Sequence, residues 1–267
     1  MVAALLLSML LLCCCADNST SDNDTQTLPE LVIGSDYYEP FVYRDEDGNF
    51  AGIDVELATE ICRNIGYTPK FVHIEWTEKK TLLENGEIDC LWGCFSINGR
   101  ESLYSWTLPY MNSIQVVAVP FDSDINAISD LEGKRLAVQS TTKPDEIFSS
   151  EAGEKDPSVP NLKRLDCFSD ISYAFAAINN GYVDAVAGHE LVLYNYMQTN
   201  STKLKILPDP LLEVQVGVAF LIGTHADVIE KINQTLYLLK NNGYITQLIT
   251  SYGLNPEMYI VDYGQEN

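Results

Sequence analysis

Basic residues are scarce in this chain. Sixteen Lys and Arg stand against 38 Asp and Glu, a formal net charge of −22 over 267 residues. A surface of that sign repels phosphate backbones and anionic bilayers at long range, which excludes nucleic acid as a natural partner. Histidine is scarcer still, with three in the chain, and no His stands near a paired-cysteine spacing, so no metal site is legible. No glycine-rich phosphate loop and no nucleophile with its base can be found, and neither a cofactor nor a metal is expected. No apolar run reaches the roughly 18 residues that a bilayer-spanning helix requires.

What is present is ordinary globular material, 46% hydrophobic and 20% charged. The length implies about two domains or lobes at roughly 150 residues each. The apolar block at 3–12 runs into Cys13, Cys14, Cys15 and Ala16 and reads as the h-region of an export signal, although no basic residue precedes it. Residues 17–27 are Asp, Asn, Ser and Thr almost throughout, too polar to pack and suited to a flexible tether. A leucine run ending in cysteine before such a tether looks like a lipoprotein signal over 1–16. Cys15 would carry the lipid, with Cys13 or Cys14 able to serve; the alternative is a cleaved secretory signal. Cys62, Cys90, Cys94 and Cys167 read as buried free thiols, with a small-loop disulfide between Cys90 and Cys94 as the other possibility.

From residue 31 onward, short β-rich runs alternate with amphipathic stretches, the pattern of α/β layering. Strands are expected at 31–34, 71–74 and 88–92, and helices at 54–65, capped by Asp54, and at 77–85. The near-continuous apolar runs 115–120 and 215–222 read as buried strands. They bracket a second α/β set, with strands at 135–139 and 183–187 and helices at 144–150, 169–180 and 189–197. Helices at 226–240 and 244–252 follow. A chain that leaves one lobe, builds a second and returns makes two crossings, and two crossings form a hinge around a cleft.

Five landmarks occur in order: GSDYYEPF at 34–41, AGIDVELATEI at 51–61, the loop 93–100 with Pro109 and Tyr110 beyond it, DLEGKRLAVQSTT at 130–142, and NGYVDAVAGHE at 180–190. Together they resemble the bacterial extracytoplasmic solute-binding proteins, family 3, that serve polar amino-acid ABC transporters. The resemblance implies a two-lobed periplasmic-binding-protein-like α/β fold of type II. Its first lobe would comprise 30–112 and 215–267, and its second 113–214, after a tether at 17–29. It also implies no enzymatic activity, an extracytoplasmic location, a small polar ligand such as an amino acid, an ABC permease as partner, a monomer, and membrane attachment only through a lipid.

The same resemblance assigns a site. Arg100 would take a ligand carboxylate with its planar fork; taken alone it reads as a surface ion pair with Glu101 or Asp89. Tyr38 and Trp76 follow the first two strands, where the family places aromatics against the ligand, while Phe41, Tyr43 and Phe71 read as core. Ser140, Thr141 and Thr142 precede a helix and offer N–H and hydroxyl groups to a carboxylate, or serve as a plain N-cap, and Lys143 reads as solvated. Two departures stand out. His189 occupies the register where an ammonium-binding Asp is usual, with Glu190 beside it as a second candidate. Phe95 stands where the family carries Thr or Ser five residues before the Arg, with Ser96 adjacent, so the pocket is remodelled or its loop shifts by one. Besides solute capture for an importer, two other functions fit this sequence: a ligand-sensing module with a separate signalling partner, and a dehydratase-like enzyme using His189 and Glu190 as acid and base.

Overall fold

The computed structural model describes residues 27–150, 156–200 and 202–263. The expected export segment, Cys15 and most of the tether lie outside the described residues. In chain order the strands are β1 (Glu30–Ser35), β2 (Tyr43–Arg44), β3 (Phe50–Ala51), β4 (Thr68–His73), β5 (Cys90–Leu91), β6 (Ser105–Trp106), β7 (Met111–Pro120), β8 (Arg135–Gln139), β9 (Arg164–Phe168), β10 (Ala185–His189), β11 (Leu204–Ile206), β12 (Leu212–Val216) and β13 (Ala219–Phe220). The helices are α1 (Ile53–Ile65), α2 (Lys79–Glu84), α3 (Lys143–Ser149), α4 (Ile171–Asn179), α5 (Glu190–Thr199), α6 (Ala226–Asn241), α7 (Tyr244–Ser251) and α8 (Pro256–Tyr259).

Two mixed sheets build two lobes. The first runs β4-β1-β5-β13-β6, with β1 parallel to β4 from Glu30↔Thr68 to Ser35↔His73 and parallel to β5 at Ile33↔Cys90. The second runs β11-β7-β10-β8-β9, with β12 also paired to β7. There β8 is parallel to both β9 and β10, while β7 is antiparallel to β10. β7 carries the chain out of the first sheet and β12 brings it back. The two are laced antiparallel through five residue pairs, from Leu212↔Gln115 to Val216↔Met111.

The apolar run at 215–222 is therefore not one strand. It breaks between β12 and β13 as the chain passes from one sheet to the other. Gly217 sits at the break, where an added Cβ would stand 2.8 Å from Ile97 Cδ1, so a side chain there would require Ile97, on the loop that carries Arg100, to shift. Strands β2, β3, β6, β9 and β11 were not legible in the sequence because all are short or carry no clear alternation. Cys62, Cys90 and Cys94 are buried free thiols, whereas Cys167 is exposed, which corrects the expectation that all four are buried.

The start of α1 departs from the sequence in a way that matters energetically. Gly52, not Asp54, is the N-cap, at φ 123; a Cβ there would lie 2.2 Å from Phe41 O. Asp54 falls in the first turn and points into the core, where Oδ2 accepts hydrogen bonds from Cys94 N at 2.7 Å and Tyr110 Oη at 2.8 Å. Oδ1 is buried without a hydrogen-bond partner. Burial pushes its pKa up to about 7 against these two hydrogen bonds.

Asp36, also buried, is raised to about 6 by desolvation. For both groups the folded state holds the proton more tightly than the unfolded chain. Each therefore stabilises the fold at low pH and loses that contribution as pH rises, Asp36 up to about 6 and Asp54 up to about 7. Asp54→Asn, which mimics the protonated carboxyl, is expected to gain about 1 to 2 kcal/mol over the parent at pH 8 and to flatten the decline. Urea titrations across pH 4 to 8 read this out; a variant less stable than the parent at pH 8 would mean that the two hydrogen bonds outweigh burial of the charge.

Candidate functional site

Parallel strands direct their C-terminal ends toward one edge of a sheet, and loops leaving that edge can converge on a ligand. Here both sheets turn that edge toward each other. Tyr38 follows β1, Trp76 follows β4, and Cys94, Phe95, Ser96 and Arg100 follow β5; from the other lobe Thr142 and Lys143 follow β8, and His189 ends β10. These nine residues line one enclosed space of about 20 Å³, room for about one water. Two of the backbone positions at its rim are costly: Cys94 at φ 51 and Thr141 at φ 59 are non-glycine residues in the left-handed region, one from each lobe. A wider groove of about 340 Å³ opens at the flank of the same interface between Tyr37 and Phe175. Its walls combine the aromatics Tyr37, Tyr43, Phe175 and Tyr196 with the charged residues Glu39, Arg44 and Asp170.

The space is small because side chains from the two lobes meet across it. Arg100, 4% exposed, donates from Nε to Glu146 Oε1 of α3 at 2.8 Å and from Nη2 to the same oxygen. Its Nη1 donates to Ser96 O at 3.1 Å and Nη2 also reaches Thr141 O at 3.4 Å. Glu146 Oε2 accepts from Lys143 Nζ at 2.8 Å. Lys79 Nζ, from the lobe of Arg100, donates to Thr141 Oγ1 at 2.7 Å and to Trp76 O at 3.2 Å, and lies 4.9 Å from the centre of the Trp76 ring. Gln139 Nε2 donates to Asp36 Oδ2 at 2.6 Å. Tyr38 stands edge-on to His189 at 5.9 Å between ring centres, and its hydroxyl accepts from the backbone N–H of His189 at 3.4 Å.

His189 is fixed as a neutral ring. Gln115 Nε2 carries only hydrogens and lies 2.7 Å from His189 Nε2, so that nitrogen accepts. The ring proton then sits on Nδ1, which donates to Ser113 Oγ at 2.8 Å. Burial, reinforced by the Arg100 charge, pulls its pKa down to about 3. Both nitrogens are engaged and no charge is available. Glu190 does not share the cavity: it opens α5 and its Oε2 accepts from Tyr259 Oη at 3.4 Å. The acid and base pair considered from the sequence is thus not assembled.

Seven expected site residues line the space: Tyr38, Trp76, Phe95, Ser96, Arg100, Thr142 and His189. Thr141 borders it through its carbonyl and hydroxyl. Ser140 does not reach it; its N–H donates to Phe168 O at 2.7 Å. Phe95 packs edge-on against Trp76 at 5.1 Å and holds the Arg100 guanidinium 4.9 Å above its ring, which accounts for an aromatic residue where a small hydroxyl was expected. Lys143, expected to be solvated, lines the cavity and pairs with Glu146. Asp36, Lys79, Gln139 and Glu146 escaped sequence reasoning. Asp36 directly follows β1 and Gln139 ends β8, and both could have been found by asking what faces the sheet edge, whereas Lys79 and Glu146 resemble ordinary first-turn helix residues. Among the described residues no group of three or more His, Cys, Asp or Glu side chains is arranged to hold a metal ion.

Residues 31–255 match the model of the bacterial extracellular solute-binding proteins, family 3. The probable amino-acid-binding protein YxeM of Bacillus subtilis is 26% identical over 239 residues, 88% of this chain and 87% of that protein. The L-cystine-binding protein TcyA of the same organism is 27% identical over 222 residues, 82% of this chain and 79% of that protein. Among solved structures, an ancestral arginine-binding protein bound to glutamine superposes with a TM-score of 0.74 at 26% identity, covering 84% of this chain and 97% of that one.

Proposed function

The chain belongs to the bacterial extracellular solute-binding proteins of family 3, binding proteins rather than enzymes, and from that premise we propose that it closes on an amino acid and delivers it to an ABC importer. One observation carries the reading: buried Arg100 already clasps a carboxylate, that of Glu146, from the opposite lobe. The internal carboxylate marks where the α-carboxylate of a solute would sit, between Arg100 and the N–H groups and hydroxyls around Thr142. Tyr38 and Trp76 flank that position. With His189 neutral and Glu190 on Tyr259, Asp36, buried near Tyr38 and Cys94, is the carboxylate offered to the solute's ammonium.

In this proposal the first lobe is 30–112 with 215–267 and the second 113–214. Residues 1–16 direct export, Cys15 carries a lipid, 17–29 tether the protein outside the membrane, and the protein acts as a monomer.

Glu146 competes with the solute for Arg100. Glu146→Gln keeps the shape and removes the charge, so it is expected to tighten amino-acid binding by about tenfold, or about 1.4 kcal/mol. Calorimetry on parent and variant with a panel of α-amino acids measures this. No binding by any member to either protein would refute the function, and weaker binding by the variant would make Glu146 part of the solute site.

A further inference from the structure

The groove at the flank of the lobe interface is a second place where both lobes meet around open space. Its volume of about 340 Å³ far exceeds the 20 Å³ between Arg100 and His189 and reaches the range of small-molecule pockets, roughly 300 to 1,000 Å³. One wall is Tyr37, Glu39 and Tyr43, beyond β1 of the first sheet. The other is Asp170 and Phe175 at the start of α4 and Tyr196 of α5, which follow β9 and β10 of the second sheet. Opening the lobes draws these walls apart, so the groove is whole only in the closed arrangement.

Its aromatic rings form a rigid apolar surface. Phe175 and Tyr196 stack face to face with 3.7 Å between ring centres and 5° between planes, and Tyr37 stacks on His73 at 4.2 Å. Two of the hydroxyls are already engaged: Tyr37 Oη accepts from Arg44 Nε at 3.1 Å, and Tyr196 Oη accepts from Asn179 Nδ2 at 2.5 Å. The carboxylates are not. Among the described residues the Glu39 carboxylate has no hydrogen-bond or ion-pair partner, and Asp170 commits Oδ1 to the N–H of Ser172 while Oδ2 stays free. Arg44 is the one cation of the lining, and it is turned onto its own hairpin. Its guanidinium lies 3.7 Å over the Phe50 ring and Nη1 donates to Gly48 O at 2.8 Å. A cation entering the groove therefore meets one uncommitted carboxylate from each lobe, in a chain whose net charge of −22 draws cations from a distance.

We propose that this groove is a second ligand site, separate from the cleft of Arg100, and that it takes a small aromatic amine. The ring lies against the wall of Tyr37, Phe175 and Tyr196, and the ammonium sits between Glu39 and Asp170, where the neighbouring rings add to its attraction. An occupant held by both walls ties the lobes together. It favours the closed arrangement, and so tightens binding of the solute in the cleft, as the solute in turn tightens binding of the amine.

Calorimetry on the purified protein with phenethylamine and 3-phenylpropionate, which carry the same ring and opposite charges, tests this. Phenethylamine is expected to bind at one site per chain, at least tenfold more tightly than the acid. Glu39→Gln should weaken it at least threefold, and Asn195→Phe, which fills the groove from α5, should abolish it. Failure of the parent to bind the amine, or equal binding of amine and acid, overturns the proposal. Undiminished binding by Asn195→Phe does so too, because the amine then sits elsewhere. The ranking of amine over acid in the parent is decisive even if a variant does not fold. Saturating phenethylamine is then expected to tighten the best-bound amino acid at least threefold. Competition between the two would put the amine in the cleft and overturn the second site, and an unchanged affinity would overturn the bridging of the lobes. The amine titrations stand whatever the cleft binds, so failure of the amino-acid reading and failure of this proposal are read separately.

Discussion

Arg100→Ala is expected to lose at least a hundredfold in solute affinity, about 3 kcal/mol or more, and to remain folded. Its guanidinium is buried and makes a charge-assisted pair in a position open to a solute carboxylate; removing it leaves that carboxylate desolvated and without its fork, the costlier side of the hydrogen-bond balance. The fold survives because Arg100's structural duty is carried by its main chain, whose carbonyl accepts from Trp106 Nε1 at 3.0 Å. Glu146, partly exposed, keeps Lys143. Arg100→Lys should also be impaired, since a compact ammonium cannot reproduce the planar fork. Calorimetry alongside circular dichroism decides it: an affinity within threefold of the parent would remove Arg100 from the site.

Trp76→Ala is expected to fail on two counts at once. From the sequence, Trp76 is either a cleft residue, whose loss spares folding, or a core residue, whose loss does not. The structure makes it both. The ring is 4% exposed and stands edge-on to Phe95, which in turn packs on Tyr104 at 5.4 Å and Trp106 at 5.1 Å, while another part lines the cavity. Truncation should cost about 3 to 5 kcal/mol of stability. At roughly 2 to 4 °C per kcal/mol for a domain of this size, the melting temperature should fall by about 6 °C or more. Binding by the remaining folded protein should weaken by a further 1 to 3 kcal/mol, approximately, as aromatic contact and the support of Lys79 are lost. Unchanged melting with weakened binding would place the ring wholly in the cleft; the reverse would place it wholly in the core.

Much of the fold was legible because it is written in local patterns. The apolar face of α1, the periodicity of α6 and the strand-ending motifs at Tyr38, Trp76, Arg100 and Thr142 each identify themselves within a dozen residues. What was not legible depends on partners distant in the chain. Asp54 carries every mark of a helix cap, yet the sharp approach of Gly52 to Phe41 moves the cap back and delivers the carboxylate to Cys94 and Tyr110. Lys79 is followed by a second lysine and looks like a solvated helix start; it is buried because a single 3-10 turn at Trp76–Glu78 precedes α2 and tips the first lysine inward. Glu146 in the first turn of α3 suits the helix dipole, and only the position of the opposite lobe gives it Arg100. Continuous hydrophobicity across 215–222 could not reveal that β12 ends at Val216 in one sheet and β13 begins at Ala219 in the other.

The laced strands β7 and β12 have a mechanical consequence. One covalent connection between two bodies permits rotation about three axes. Two connections, joined side by side by five residue pairs, suppress twist and lateral swing and leave a single soft coordinate, the opening angle. Motion along one coordinate has no side paths on which partly closed forms accumulate, so uptake of a solute should register as one cooperative step: a single relaxation in stopped-flow Trp fluorescence, with the same rate constant at every emission wavelength.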